Sequence, residues 1–175
     1  MTASVRVLVV GCGQMGSSHA RAYHACDDFE IVGLVSPLKD ADRLSAELGD
    51  YPVFRDFTKA IAETKPDAVS INTLPDSHAA YALEAIAAGA HVFVEKPLAE
   101  TVADAESVVK AATAAKRKLL VGYILRHHPL WTKFVGIARS LGKPLVMRMN
   151  LNQQNRGPDW EAHRRKLAYM SPIVD

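Results

Sequence analysis

A turn with three glycines is the first segment of this chain whose residues could support chemistry. Gly11, Gly13 and Gly16 form a G-x-G-x-x-G pattern directly after the apolar run Val5–Val10. In such a turn the first glycine permits a tight strand-to-helix connection, the second lets a pyrophosphate approach the backbone, and the third lets the helix pack on the strand. The helix N-terminus adds free N–H groups and the positive end of its dipole. The pattern therefore predicts a dinucleotide site.

A second candidate segment is Glu95-Lys96-Pro97, which ends another apolar run. Lysines usually lie in solvated positions, but this one follows a predicted buried strand and precedes a helix-breaking proline. In a doubly wound sheet the carboxyl ends of the strands form the ligand crevice. We therefore expect Lys96 to lie beside the reactive end of the dinucleotide, as the first candidate catalytic residue.

The elements that position these segments are short β-branched runs that alternate with longer helical segments, a pattern typical of a parallel sheet covered on both faces. Strands are predicted near Arg6–Val10, Glu30–Val35, Pro52–Phe54, Ala68–Asn72, His91–Glu95 and Leu119–Gly122, and helices near Met15–Ala25, Asp40–Leu48, Phe57–Glu63, Ser77–Ala88, Val102–Lys116 and Pro129–Leu141. Ser77 and Thr101 are the predicted N-caps. Together these units predict an α/β fold, a doubly wound NAD(P)-binding Rossmann sheet over residues 1–125.

The two segments, taken with three further motifs, resemble the glucose–fructose oxidoreductase / inositol dehydrogenase / MocA family of nicotinamide-dependent sugar and polyol dehydrogenases. The further motifs are Thr73-Leu74-Pro75-Asp76-Ser77-His78, Ala87–Val92 and Gly122–Arg126, so the resemblance covers almost the whole chain. It implies that Lys96 hydrogen-bonds the reacting substrate hydroxyl and the cofactor ribose, while Glu95 orients the lysine. The activity that it implies is hydride transfer between a nicotinamide cofactor and a sugar, inositol or related polyol.

The resemblance also implies that residues 126–175 begin a second α+β domain, which binds substrate and forms the subunit interface of a homo-oligomer. The first pieces of that domain are an extended run, Leu145–Leu151, and a helical stretch, Trp160–Leu167. Asp175 corresponds to the family's substrate-binding aspartate, the second candidate catalytic residue. The histidine that acts as general base would follow four residues later. We therefore expect the chain to be truncated and catalytically incomplete.

Cofactor contacts are expected from Gly11, Gly13, Gln14, Met15, Gly16, Ser36, Lys39, Thr73, Leu74, Pro75, His78, Glu95, Lys96 and Arg126. In NAD enzymes the residue about twenty positions after the glycines usually carries a carboxylate that holds the ribose 2′-hydroxyl. Here that residue is Ser36, while Asp40 and Asp42 belong to the following helix. Because Ser36 can donate to a phosphate and Lys39 can neutralise it, the sequence favours NADP over NAD.

Composition excludes several other classes of protein. The chain has 175 residues, a formal net charge of +2 and 49% hydrophobic residues, so it has too little positive charge to indicate a nucleic-acid partner. No apolar run approaches the length of a membrane helix, and no histidine or cysteine pair has the spacing of a zinc site, which predicts no metal. Cys12 and Cys26 suit free thiols, so we expect a cytoplasmic protein.

Two kinds of alternative remain open at this stage. The same fold carries imine and biliverdin-type reductases and cofactor-assisted glycosidases, and fold alone does not separate them. The second alternative is a dinucleotide-binding module or sensor without turnover, which the truncated end favours and Lys96 disfavours. The pair His127-His128 could line a substrate site, but a polar loop pair before a helix is the preferred interpretation.

Overall fold

The computed structural model describes residues 3–143 together with 146 and 148. Within them lie six strands, β1 (Val5–Val10), β2 (Phe29–Val35), β3 (Val53–Phe54), β4 (Ala68–Ile71), β5 (His91–Val94) and β6 (Leu119–Val121). Six helices accompany them, α1 (Gln14–His24), α2 (Asp40–Leu48), α3 (Phe57–Thr64), α4 (Pro75–Ala87), α5 (Val102–Ala114) and α6 (Pro129–Ser140), with a short 3₁₀ turn at Ile124–Arg126. The alternation of strands and helices predicted from the sequence is confirmed.

The strands pair in parallel in the order β3-β2-β1-β4-β5-β6. The order changes direction between β1 and β4, which is the doubly wound arrangement, with its ligand crevice at the carboxyl ends of these strands. In the register of the sheet Val10 is the partner of both Val35 and Ile71, so β1, β2 and β4 end side by side. The glycine turn that follows β1 is therefore held beside the ends of both neighbouring strands.

Strand β1 is buried on both faces, which explains its continuous apolar sequence. Leu8 and Val10 face a core cluster that includes residues of α3, α4 and α5, whereas Val7 and Val9 face the cluster formed with α1 and α2. None of these four side chains is more than 2% exposed. Because successive side chains of a strand point to opposite faces, one strand organises both helical layers.

Of the two predicted N-cap residues, one is confirmed and one is wrong. The Thr101 hydroxyl accepts the Asp104 N–H at 3.1 Å, so the predicted cap of α5 is confirmed. The prediction of Ser77 as the cap of α4 is wrong, because this helix begins at Pro75 with Leu74 as its N-cap. Proline suits the first helical position, where its fixed φ is already helical and its missing N–H is not needed.

The chain divides into two compact units after Gly122. In the second unit the structure describes the 3₁₀ turn and α6, which agrees closely with the helix predicted at Pro129–Leu141. The predicted stretch Trp160–Leu167 lies outside the described residues, as does most of the extended run predicted at Leu145–Leu151. In the part of the chain that is described, no helix has both the length and the apolar character needed to cross a membrane.

Candidate functional site

Two of the three glycines in the turn after β1 are required by the fold itself. Gly11 has a φ of +83°, and a Cβ added there would lie 2.7 Å from the carbonyl oxygen of Asn72. A Cβ added at Gly16 would lie 1.7 Å from the carbonyl oxygen of Gly11, closer than any real contact. These two glycines therefore let α1 start directly above β1 and beside the end of β4.

Gly13 differs from both, because the described protein gives no reason for a glycine there. Its φ is −68°, which any residue can adopt, and a Cβ added to it would meet no described atom within 4 Å. Gly13 is the N-cap of α1, and no side chain of the described residues caps this helix end. An open backbone surface at an uncapped helix N-terminus fits the pyrophosphate of a dinucleotide. Gln14 and Met15 follow in the first turn of α1, where both are exposed.

A cleft of about 390 Å³ opens beside this helix end. Its lining residues come from the glycine turn and from the facing sides of α1 and α2, namely Cys12, Gly13, Gln14, Ser17, Arg21, Asp40, Arg43, Leu44 and Glu47. Two of the charges cancel, since the Arg21 guanidinium donates to both carboxylate oxygens of Glu47 at 2.6 and 2.8 Å. The carboxylate of Asp40 and the guanidinium of Arg43 are thus the charges left to act on a ligand in the cleft.

The thiol of Cys12 in this cleft is not a nucleophile. Burial, aided by the nearby carboxylate of Asp40 and opposed by the charge of Arg55, raises its pKa to about 12. Its Sγ lies 3.8 Å from the carbonyl oxygen of Val35 and can donate to it. A thiol with so high a pKa stays protonated at neutral pH, so it fills space at the glycine turn rather than reacting.

The end of β2 is arranged differently from the sequence-based expectation. Ser36 is 3% exposed, and its hydroxyl donates to Oδ1 of Asp40 at 2.6 Å. The same Oδ1 accepts the Ala41 N–H at 2.8 Å. The sequence-based preference for NADP rests on Ser36 in place of a carboxylate after β2, whereas in the structure the carboxylate of Asp40 lies at the same strand end. Lys39, the other residue in that argument, is exposed at the N-cap of α2.

Arg55 fixes the loop between β2 and α2, a role that the sequence did not suggest. Its Nη1 donates to the carbonyl oxygens of Ser36 and Leu38 at 2.9 and 2.7 Å. Its Nη2 lies 2.6 Å from both carboxylate oxygens of Asp42. Because this guanidinium bonds two carbonyl oxygens and a carboxylate, it stabilises the conformation of the loop that leads to Asp40.

Glu95 and Lys96 follow β5 at the same edge of the sheet. Glu95 is 5% exposed, its Oε1 lies 2.8 Å from Nε2 of His19, and its Oε2 accepts the Lys96 N–H at 3.2 Å. Burial opposes ionisation of this carboxyl and by itself would raise its pKa. The hydrogen bonds from His19 and from the Lys96 amide favour the carboxylate, as do the charges of both basic side chains. Together they outweigh burial, so the pKa of Glu95 lies below its ordinary value. Glu95 is therefore a carboxylate at neutral pH.

His78 has a structural role that differs from the cofactor contact expected of it. It is fully buried, its Nδ1 lies 2.7 Å from the carbonyl oxygen of Pro97, and its Nε2 lies 3.1 Å from that of Thr73. Both ring nitrogens are thus directed at backbone carbonyls, and neither is presented to a ligand. The ring joins the segment after β4 to the segment after β5.

The remaining predicted site residues divide into three groups. Thr73 adjoins Gly11, since its Cγ2 would be 3.0 Å from a Cβ added to that glycine, and Leu74 and Pro75 continue from it into α4. Arg126 belongs to the second unit, where its guanidinium lies 5.3 Å from the ring centre of Tyr123. Asp175 lies outside the described residues. Within the described part, no group of three histidine, cysteine or acidic side chains is placed to hold a metal ion.

Comparison with known proteins agrees with this geometry. Residues 5–123 match the GFO_IDH_MocA family, described as an oxidoreductase family with an NAD-binding Rossmann fold. The chain is 30% identical over 169 residues to a 4-carboxy-2-hydroxymuconate-6-semialdehyde dehydrogenase of Sphingobium sp., covering 91% of this chain and 54% of that protein. It is 34% identical over 149 residues to an inositol 2-dehydrogenase of Acidothermus cellulolyticus, covering 82% and 43%.

Solved structures show the same similarity. GenD2 from gentamicin A biosynthesis, in complex with NAD, has a TM-score of 0.75 at 27% identity, with 79% of this chain and 40% of that chain covered. KijD10, a 3-ketoreductase from Actinomadura kijaniata in complex with NADP, has a TM-score of 0.70 at 26% identity, with 79% and 44% covered. The chain spans about half the length of the curated relatives that it matches.

Proposed function

The chain belongs to the Gfo/Idh/MocA oxidoreductase family, and from that premise we propose that the protein moves a hydride between a nicotinamide cofactor and a hydroxyl-bearing carbon of a sugar, inositol or related polyol. The observation that carries the proposal is Gly13, where the fold leaves open backbone at an uncapped helix end. Lys96 follows β5 at the carboxyl edge of the same sheet. A dinucleotide site and a lysine at one edge of a Rossmann sheet suit a dehydrogenase.

Residues of the first unit would hold the two ends of the cofactor. The backbone at Gly13 and the first turn of α1 would bind the pyrophosphate, and the cleft lined by Asp40 and Arg43 would take the adenosine ribose. Thr73, at the end of β4, would face the nicotinamide half. The bound nicotinamide supplies the hydride acceptor or donor, and the protein supplies placement and charge.

Lys96 would act on the substrate oxygen. An alcohol that gives up a hydride from carbon must also lose its hydroxyl proton to a base, because the product is a carbonyl. The ammonium group of Lys96 would donate a hydrogen bond to that oxygen and stabilise the negative charge that develops on it. We assign the substrate contact to Asp175; the family resemblance implies that a histidine four residues further on would act as the base.

We propose NAD as the preferred cofactor, against the preference that the sequence suggested. The support is Asp40, whose Oδ1 is held by Ser36 and Ala41 and whose side chain lines the cleft beside Gly13. A carboxylate there would accept a hydrogen bond from a ribose 2′-hydroxyl and repel a 2′-phosphate.

We also propose that the protein is cytoplasmic and that it self-associates through the second unit.

The substrate class is inferred from the names of relatives. Several are inositol 2-dehydrogenases, and one is a semialdehyde dehydrogenase. Inositols and sugars are therefore the first substrates to test, with hydroxy-aldehydes as the second class.

The test has two stages. The first measures binding of NADH and NADPH to the 175-residue chain by nicotinamide fluorescence, and absence of binding to both would overturn the proposal. The second screens the full gene product against inositols, sugars and hydroxy-aldehydes by absorbance of the reduced nicotinamide. Turnover of a polyol would support the proposal, whereas binding with no turnover on the whole panel would favour a dinucleotide-binding module.

A further inference from the structure

One buried contact joins the helix of the glycine turn to the segment that carries Lys96. Nε2 of His19, on α1, lies 2.8 Å from Oε1 of Glu95, just after β5. The two side chains are 20% and 7% exposed. His19 lies one turn after Gly16 on the same face of α1. The helix that is open to a pyrophosphate at its first turn thus contacts the Glu95-Lys96 segment at its second.

The surroundings leave Glu95 little freedom. Its second oxygen accepts the Lys96 N–H at 3.2 Å, and its own N–H donates to the carbonyl oxygen of Ile71 at 2.8 Å. The carboxylate also packs against Gly122, where an added Cβ would lie 3.2 Å from Cδ and from both oxygens. The His19 ring is supported in turn by Phe93, with ring centres 4.9 Å apart.

The direction of the hydrogen bond follows from the charge of the acceptor. Glu95 is ionised at neutral pH and can only accept, so Nε2 of His19 carries the proton that it donates. The interaction is therefore a charge-assisted hydrogen bond, which is stronger and more directional than one between neutral groups.

We propose that His19 is a positioning residue for Lys96. By holding one oxygen of Glu95, it sets the orientation of the other, which holds the backbone N–H of the lysine. The geometry of the lysine therefore depends on the helix that binds the pyrophosphate. The role of Lys96 at the substrate rests on the proposed function, but its dependence on His19 does not.

A role in stability alone would not require this pair. Replacement of a buried polar or charged contact by apolar groups is often neutral or stabilising, because desolvation offsets much of the attraction. The neighbouring residues of α1 already pack tightly, with Ala20 fully buried and Gly16 against the turn. Such a pair, if it acts only in packing, should affect the unfolding temperature without changing the reactivity of Lys96.

The experiment measures the reactivity of the Lys96 amine in the 175-residue chain. Wild type, His19→Ala and His19→Gln are labelled with a limiting acetylating reagent over a range of pH, and each lysine is quantified by mass spectrometry. Lys110, exposed on α5 and 3.9 Å from Glu106, is the internal control. The labelling rate of each amine reports how accessible and how nucleophilic it is in the folded chain.

We expect His19→Ala to change the labelling rate of Lys96 by about threefold or more, because Glu95 is no longer held by the imidazole. The rate should return toward wild type in His19→Gln, whose amide can donate to Glu95. Lys110 should be unaffected. An unchanged Lys96 rate in a folded His19→Ala, or equal changes in both variants, would overturn the proposal.

Glu95→Gln provides a second route if His19→Ala does not fold. This variant keeps the size of the side chain and removes its charge, and its labelling pattern should match that of His19→Ala. The double variant should be no more affected than the stronger single one, since both substitutions act on the same charge-assisted contact. Additive effects would contradict the proposal. Loss of NADH binding by wild type would overturn the proposed function alone, because the labelling requires no cofactor.

Discussion

The hydroxyl of Ser36 and the carboxylate of Asp40 form a 2.6 Å hydrogen bond at the end of β2. The bond brings a residue of α2 back to the strand end at which dinucleotide enzymes distinguish their cofactors. Arg55 holds the connecting loop through hydrogen bonds to the carbonyl oxygens of Ser36 and Leu38. The position of the Asp40 carboxylate thus depends on a small folded loop and on the hydroxyl of Ser36.

Asp40→Asn should shift cofactor preference toward NADPH. The substitution removes the negative charge that strengthens a hydrogen bond from a 2′-hydroxyl and repels a 2′-phosphate, and Arg43 remains in the cleft. We expect the ratio of the NADPH and NADH dissociation constants to fall by at least about tenfold. Fluorescence titration of both cofactors measures it.

Asp50→Asn is the matched control, since Asp50 is an exposed carboxylate just past the end of α2 and outside the cleft lining. It should leave the ratio unchanged. If both variants behave alike, the 2′-position is recognised by other residues.

Substitutions at Gly13 and Gly16 should have opposite effects. Gly13→Val should abolish binding of NADH and lower stability by no more than about 1 kcal/mol, because a Cβ there meets no described atom. Gly16→Ala should destabilise the fold by about 1–3 kcal/mol or more, since its Cβ would overlap the Gly11 carbonyl. Thermal unfolding and NADH titration of both variants separate the two effects. Equal NADH affinity in Gly13→Val would mean that the turn has only a structural role.

Glu95 should make the stability of the first unit depend on pH. Its pKa is lower in the folded state than its ordinary value of about 4.5, so its contribution is present above that value and is lost as the pH falls through the folded-state pKa. Wild type should therefore lose more stability than Glu95→Gln between pH 6 and the acid limit of folding. Unfolding temperatures of both proteins across this range test the prediction. Parallel curves would show that the carboxylate is not stabilised by its neighbours.

The apolar side chains of α6 should promote self-association. Leu130, Phe134 and Ile137 are 71, 44 and 53% exposed, and apolar surface of this kind favours an interface. Phe134→Glu should reduce the fraction of dimer or larger species in sedimentation experiments. Thr132→Glu adds the same charge at another exposed position of α6 and should have a smaller effect. A chain that is monomeric before substitution would contradict the prediction.

The strands and the glycine turn could be predicted because their signals are local. Val5–Val10 is apolar since β1 is buried on both faces, and the spacing of Gly11 and Gly16 follows from contacts within one turn. The start of α4 was misplaced because Ser77 was judged by its own capping ability. Pro75, two residues earlier, had the stronger positional preference.

The side-chain partners in the site could not be predicted, because they join residues far apart in sequence. His19 and Glu95 are brought together only when α1 packs against the sheet. The spacing of His19 three residues after Gly16 was the one local signal, since it places the histidine on the face of the helix that packs inward. The contacts of His78 could not be predicted either, because the sequence shows a polar residue near the crevice and does not show the two carbonyls that lie at its ring nitrogens.

The contrast among the three glycines has an evolutionary consequence. Gly11 and Gly16 are constrained by contacts inside the protein, so selection for folding alone preserves them. Gly13 has no such constraint from the described residues, so selection for a ligand is what would keep it a glycine. In a lineage that stops using a dinucleotide, position 13 should diverge first, while Gly11 and Gly16 remain glycines. A descendant that retains Gly11 and Gly16 but has a bulky residue at position 13 would be expected to fold and no longer to bind a dinucleotide, and position 13 alone would identify it.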